Sequence, residues 1–182
     1  MLIEPVQAYV HSEFRVKFAT GQWEKAQAYR LRRMVFCVEQ QLFADGEDAD
    51  RDALDEAPNT VSLAAFACVA GMSEQIAGTV RIDERQPGIW YGSRLAIHPA
   101  FRGHASLAAG LIRLAVTSAH ARGCVRFLAQ VQIQNVRLFR RLHWQSVEEM
   151  VLHGRTHHLM SADLAHYPPF YDGANGFVTL GR

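Results

Sequence analysis

The stretch Ile97–Leu111, IHPAFRGHASLAAGL, joins the end of an apolar strand to the start of an apolar helix through Pro99 and a short polar run. A helix start carries unpaired N–H groups and a partial positive charge, and so suits a phosphate. Gly103, His104, Ala105, Ser106 and Leu107 would present those N–H groups, and Arg102 or His104 would add a charged contact. The run has one glycine where phosphate-cradling loops usually have two or three. The competing reading is an ordinary strand-to-helix turn with a surface arginine.

Other residues could move protons or hold a substrate. Glu39 and Asp55 are carboxylates that could take a proton, Glu39 first. The alternative for Glu39 is a helix-surface ion pair with Arg32 or Arg33. Arg81 could hold a substrate carboxylate or pair with Asp52 or Asp55. The run ADGEDADRDALDEAPN is acidic and poor in large apolar groups. Lining a cleft, it would draw in a cationic substrate; otherwise it is a solvated loop or lid. HGRTHH brings His153, His157 and His158 together, with His143 and His166 near in sequence. Neighbouring strand residues face opposite ways, so His157 and His158 cannot share an ion; surface histidines, and no metal, are expected. His98, before a proline, reads as structural, with a general base as the alternative. Cys37, Cys68 and Cys124 have no metal or disulfide spacing. They read as buried thiols, and none has a nucleophile's setting.

These residues need a frame. Alternation in FRVKFAT gives a first strand. From Trp23 to Leu42 the apolar residues Leu31, Met34, Val35, Val38 and Leu42 follow a helical period. TVSLAAFACVAG reads as a buried central strand, MSEQ as a hairpin turn, IAGTVRID as the next strand, ERQPG as a turn, and IWYGSRLAIH as the fourth strand. A helix from about Ser106 to Ala121 ends at Gly123. CVRFLAQVQI is a fifth strand, parallel to the fourth because a helix joins them. Asn135 caps a short helix, VRLFRRLHW. SVEEMVLH and HHLMSADL close as a hairpin. The order describes an α+β fold around one mixed sheet, with a domain over 1–165 and a tail or linker over 166–182.

Bulk properties narrow the function. The 182 residues suit one domain, and 49% apolar with 20% charged residues is ordinary for a globular protein with a real core. A net charge of +1 gives no bulk footprint for nucleic acid or an anionic membrane. The N-terminus lacks a signal-peptide pattern and no run is long enough for a membrane helix, so a cytoplasmic location is expected.

LAIHPAFRGHASLAAGL resembles motif A of the GCN5-related N-acetyltransferase (GNAT) superfamily, in which a fourth strand is followed by Q/R-x-x-G-x-G/A and a helix. NVRLFRRLHW resembles that superfamily's later N-x-x-x-L-Y-x-x-x-G-F motif, and the element order matches along nearly the whole chain. Ala105 and Leu107 stand where glycine is usual, and Phe139 replaces a tyrosine that often protonates the coenzyme A thiolate. The resemblance implies a mostly antiparallel sheet of about seven strands, with the fourth and fifth splayed around the pantetheine arm. It places Leu95, Ala96 and Ile97 along that arm, Arg102 to Leu107 at the pyrophosphate, and Asn135 and Phe139 at the acyl end. Arg32, Val35, Phe36, Glu39 and Gln40, followed by Asp52 and Asp55, resemble a pattern in acetyltransferases of unassigned substrate and in acyl-homoserine-lactone synthases. By that resemblance Arg32, Asp52, Asp55 and Arg81 serve the substrate cleft. The pattern is also similar to an acetyltransferase group encoded with nitrogen-starvation genes, some of which carry a second domain.

The expectation is therefore an N-acetyltransferase that uses acetyl-CoA as co-substrate, needs no metal, and transfers acetyl directly to a small amine. Tyr91 is a source of the thiolate's proton. The alternatives are a longer-chain, lactone-synthase-like enzyme and an acyl-CoA-sensing module without turnover. A homodimer and a further C-terminal domain or partner protein are both compatible with the chain.

Overall fold

The computed structural model describes residues 9–44 and 49–181; the rest of the acidic run, 45–48, lies outside them. Eight strands form one sheet: β1 (Glu13–Phe18), β2 (Thr60–Val69), β3 (Met72–Gln86), β4 (Ile89–Ile97), β5 (Arg126–Gln132), β6 (Trp144–Leu152), β7 (Arg155–Ala162) and β8 (Phe177–Leu180). Their order is β6-β7-β5-β4-β3-β2-β1-β8, antiparallel except for the β4–β5 pair. Three helices flank it: α1 (Gln22–Arg32), α2 (Ala105–Ala121) and α3 (Val136–Arg141).

The sheet separates two clusters. Phe127, Ala129, Val131, Phe139 and Trp144 share one with the α2 residues Leu107, Leu111 and Leu114. Leu31, Val35 and Phe36 share the other with Phe66 and Ala96. In β5 the odd positions thus face α2, while Gln130 and Gln132 face the α1 side.

Several expectations change in detail. The β2–β3 turn is Ala70–Gly71, both with positive φ, and MSEQ lies inside β3. Two residues with positive φ match the right-handed twist of a tight hairpin. The helix expected to run evenly from Trp23 to Leu42 changes pitch: Arg33–Glu39 form a π-helical segment, and the Gln40 N–H donates to Val35 O at 2.9 Å. The wider turn buries Val35, Phe36 and Cys37 in succession and leaves Met34 and Val38 exposed, against the 3.6-residue pattern. The eighth strand comes from the tail. β8 pairs with β1, and Ser106 Oγ donates to Leu180 O, which ties the tail to the start of α2.

The feature that shapes the site is a bulge in β4. Thr79 pairs with Ala96 but Arg81 with Ser93, and Arg94 between them has φ +57°. A bulge bends its strand and ends local pairing. The β4–β5 ladder runs from Ile89↔Arg126 to Gly92↔Ala129 and stops there. Beyond it the two strands diverge.

Candidate active site

The divergence leaves a cleft that passes through the sheet. Phe36, Gln40 and Phe43 line it on the α1 side; Ile112, Ala115, Phe139 and Trp144 line it on the α2–α3 side. Its volume is about 170 Å³. The two halves differ chemically because strand side chains alternate. Phe127, Ala129 and Val131 make the α2 side apolar; Tyr91, Ser93, Gln130, Gln132 and His157 make the α1 side polar. Beside it lies a groove of about 370 Å³ lined by Glu39, Leu95, Ala96, Ile97, Arg102 and Leu138. Gln40, Leu95 and Asn135 border both cavities. Gln132 Nε2 donates to Gln40 Oε1 at 2.9 Å across the boundary.

The groove leads to the start of α2. Among the described residues, the N–H groups of Gly103, Ala105 and Ser106 have no backbone partner. Leu107 is fully buried in the α2 cluster, so a side chain replaces the usual glycine without facing the groove. His104 turns the other way: its ring packs on Phe14 and Phe101, and its Nδ1 is buried without a partner. The charged contact expected of His104 is thus absent here, leaving Arg102. Arg102 already has a partner, since its guanidinium donates to both oxygens of Glu39 at 2.6 and 2.9 Å.

That pair changes the reading of Glu39. The hydrogen bonds from Arg102 hold its carboxyl below the usual range, outweighing the small opposing effect of burial. A carboxylate held ionised by a bidentate arginine is a poor proton acceptor. Neutralising it should free Arg102 and remove a negative charge from the groove. Glu39→Gln is therefore expected to bind acetyl-CoA about 3–10-fold more tightly, within reach of one partly exposed charge pair. Calorimetric titration of both proteins checks this; weaker binding, or loss of turnover with binding intact, would restore Glu39 as the base.

The proposed substrate residues meet in a buried network instead of an open cleft. Arg32, only 2% exposed, donates to Asp50 at 2.6 Å and to both oxygens of Asp55 at 2.7 and 3.1 Å. Arg81 reaches Asp52 at 2.7 Å, Asp55 at 3.1 Å and Ser93 at 3.0 Å. Arg94 donates twice to Asp50 O, at 3.0 and 2.9 Å. Three arginines thus meet three aspartates, so Asp50, Asp52 and Asp55 are already balanced by cations. Burial would raise the Asp55 carboxyl, but bonds from Arg32 and the Asp52 N–H, with the charges of Arg32 and Arg81, hold it far below the usual range. Asp55 so held is a poor proton acceptor, and Arg81, only 2% exposed, is engaged by Asp52 and Asp55. Asp50 and Arg94 were not singled out in the sequence. Their contacts pin the bulge that opens the cleft.

Tyr91 lines the cleft beneath the Arg85 guanidinium, 3.9 Å from the ring centroid. Phe139 packs edge-on against Trp144 at the apolar end. Asn135 occupies the cap position of α3 without a capping bond from its side chain. His98 accepts the Ala100 N–H at 3.1 Å, a structural use, and burial followed by the charge of Arg102 lowers its pKa. The three cysteines are buried, and burial pushes Cys124 up to about 11. The described residues hold no group of three or more His, Cys, Asp or Glu placed for a metal, and no helix among them is long and apolar enough to cross a membrane.

Among the described residues the α+β sheet has one parallel pair, β4–β5, and it splays beside the start of α2, the arrangement that the resemblance to acyl-CoA-handling transferases implies. The family model for the Acetyltransferase (GNAT) family matches residues 24–144, and the chain belongs to that family of acyltransferases. Solved structures share the fold. An acyl-CoA N-acyltransferase from Pseudomonas aeruginosa superposes with a TM-score of 0.65 at 21% identity, over 82% of this chain and 98% of that one. FeeM, an N-acyl amino acid synthase from uncultured soil microbes, gives 0.65 at 12% identity, over 86% and 94%. The CoA-dependent acyl-homoserine lactone synthase BjaI gives 0.64 at 15% identity, over 84% and 83%. No curated protein matches the sequence significantly.

Proposed function

We propose that this acyltransferase uses acetyl-CoA to acetylate a small amine by direct transfer. The observation that carries the reading is the groove-and-cleft pair: free N–H groups at the start of α2, an open β4 edge at Leu95–Ile97, and a polar half-cleft at its end. The pyrophosphate would sit on the N–H groups and the pantetheine along β4, as an added strand would. The thioester would then meet the acceptor near Gln40, Gln132 and Asn135. Tyr91 would supply the thiolate's proton, because Phe139 has none to give. In this reading the acceptor is an amine that also bears a carboxylate. Arg85 and Arg94 line the cleft, Arg85 donating to Asp83 at 2.9 Å and Arg94 to Asp50 O, so a substrate carboxylate would be met by their remaining N–H groups. The fold relative FeeM, an N-acyl amino acid synthase, agrees with that class.

A second reading rests on the apolar half. A cavity of roughly 150 Å³ with apolar walls holds benzene, so this one has room beyond a methyl group. A longer acyl donor would use it, as the lactone synthase and amino acid synthase among the fold's relatives suggest. Thiol release from acetyl-CoA and hexanoyl-CoA, tested with amino acids and diamines, separates the two. Each buried methylene contributes about 0.8 kcal/mol, so four extra methylenes would favour hexanoyl transfer by on the order of 100-fold. Equal or better acetyl transfer supports the first reading. Acyl-CoA binding without thiol release would leave the chain a sensor.

A further inference from the structure

His157 was expected among scattered surface histidines, yet it is 6% exposed and lines the cleft. It lies opposite Gln132 in the β5–β7 ladder, on the polar face. Its Nδ1 sits 2.9 Å from the carbonyl oxygen of Arg155. A carbonyl only accepts, so Nδ1 carries the hydrogen and the neutral ring keeps a lone pair on Nε2. Nε2 has no hydrogen-bond partner among the described residues, and it is not among the sealed polar atoms. The acceptors singled out as bases in the sequence are engaged: Glu39 by Arg102, Asp55 by Arg32 and Arg81, and His98 by the Ala100 N–H.

We propose that His157 is the general base of this transferase, accepting the acceptor amine's proton on Nε2. The inference rests on the N-acyltransferase reading above. In the step, the amine nitrogen bonds to the thioester carbon and the C–S bond breaks with its electron pair on sulfur. The nitrogen's proton passes to Nε2, the thiolate takes a proton from Tyr91, Tyr91 regains one from solvent, and the imidazolium returns its proton to solvent. An oriented base of this kind contributes about 10²–10⁴-fold. The Arg155 carbonyl fixes both tautomer and ring plane, and the backbone provides that without spending another side chain.

Among the described residues, the charged or titratable groups that line the same cleft are Arg85 on β3, Tyr91 and Arg94 on β4 and His153 in the β6–β7 turn, with Arg155 on β7 donating to Gln40 O beside it; Gln130 and Gln132 on β5 and Gln40 beside α1 are neutral. His153, whose ring packs at a tilt against Phe43, is the neighbour most easily confused with His157, so it needs its own variant.

The test has two arms. Nitrogen-15 NMR of the wild-type histidine side chains is expected to show His157 as the Nδ1–H tautomer; an Nε2–H tautomer would overturn the proposal. His157→Asn keeps a donor for the Arg155 carbonyl and removes the base, with His157→Gln as a second variant should Asn unfold. Thiol release is measured from acetyl-CoA and hexanoyl-CoA with the twenty α-amino acids, putrescine and spermidine. His157→Asn is expected to lower kcat at least 100-fold, leave acyl-CoA affinity within about twofold, and abolish the acidic limb of the pH–kcat profile, while His153→Asn retains that limb. Wild-type kcat and profile in a folded His157 variant would overturn the assignment of His157 alone. Wild-type protein that releases no thiol with any amine would overturn the acyltransferase reading beneath it.

Discussion

Replacing Arg32 with methionine is expected to destabilise the protein by about 3–5 kcal/mol, the cost of removing one partner from a buried ion pair. Methionine fills much of the space, but Asp50 and Asp55 then remain as buried carboxylates, each with a side chain no more than 3% exposed. The loss is a large part of the 5–15 kcal/mol that holds a typical domain together. Urea unfolding measures it, and a change under 1 kcal/mol would mean that the network contributes little. The effect should reach the cleft, because Asp50 O is also the acceptor that holds Arg94 in the β4 bulge. The pH dependence has a definite sign. The Asp55 and Asp52 carboxyls are lowered in the folded protein, where arginine bonds and charges outweigh burial, so the folded state binds fewer protons than the unfolded one. Their contribution is fully present above the unfolded carboxyl pKa, about 3.9, and is lost as pH falls toward the lower folded values. Wild-type stability should therefore decline below about pH 4, and less steeply once Arg32 is gone.

Gly103→Asp is expected to weaken acetyl-CoA binding at least 100-fold while leaving stability within about 0.5 kcal/mol. Gly103 is exposed, its φ is not positive, and a Cβ there would meet nothing within 4 Å. The substitution should therefore place a carboxylate against the proposed pyrophosphate without disturbing the loop. A charge at Leu107 would probe folding instead, because that side chain is fully buried. Gly103→Ala is the control and should bind as the wild type does. Calorimetry at low and moderate salt checks the cause, since screening reduces repulsion between exposed charges. Undiminished affinity in Gly103→Asp would place the phosphates away from the start of α2.

Much of this protein was legible in the sequence because the signals are local. Gly88 at positive φ after Pro87 marks the β3–β4 turn, and Gly123 at positive φ ends α2. The strand–loop–helix run at 97–111 identified both the family motif and the groove it borders, because a helix start displays N–H groups whatever surrounds it. The parallel β4–β5 pair followed from the length of its crossover. What the tertiary structure decided is how side chains far apart in sequence are engaged. Arg102 and Glu39 lie 63 residues apart, and Arg32 and Asp55 lie 23 apart. Each is an ordinary charged residue until packing brings its partner close, which turns two candidate bases into ion-pair partners. The π-helical segment belongs to the same class: residues 33–39 suit an α-helix by period, and packing of Val35, Phe36 and Cys37 favours the wider turn. His157 shows the limit most directly. HGRTHH gives three histidines; strand alternation and the β5–β7 register turn one ring into the cleft, and a backbone carbonyl two residues away fixes its tautomer.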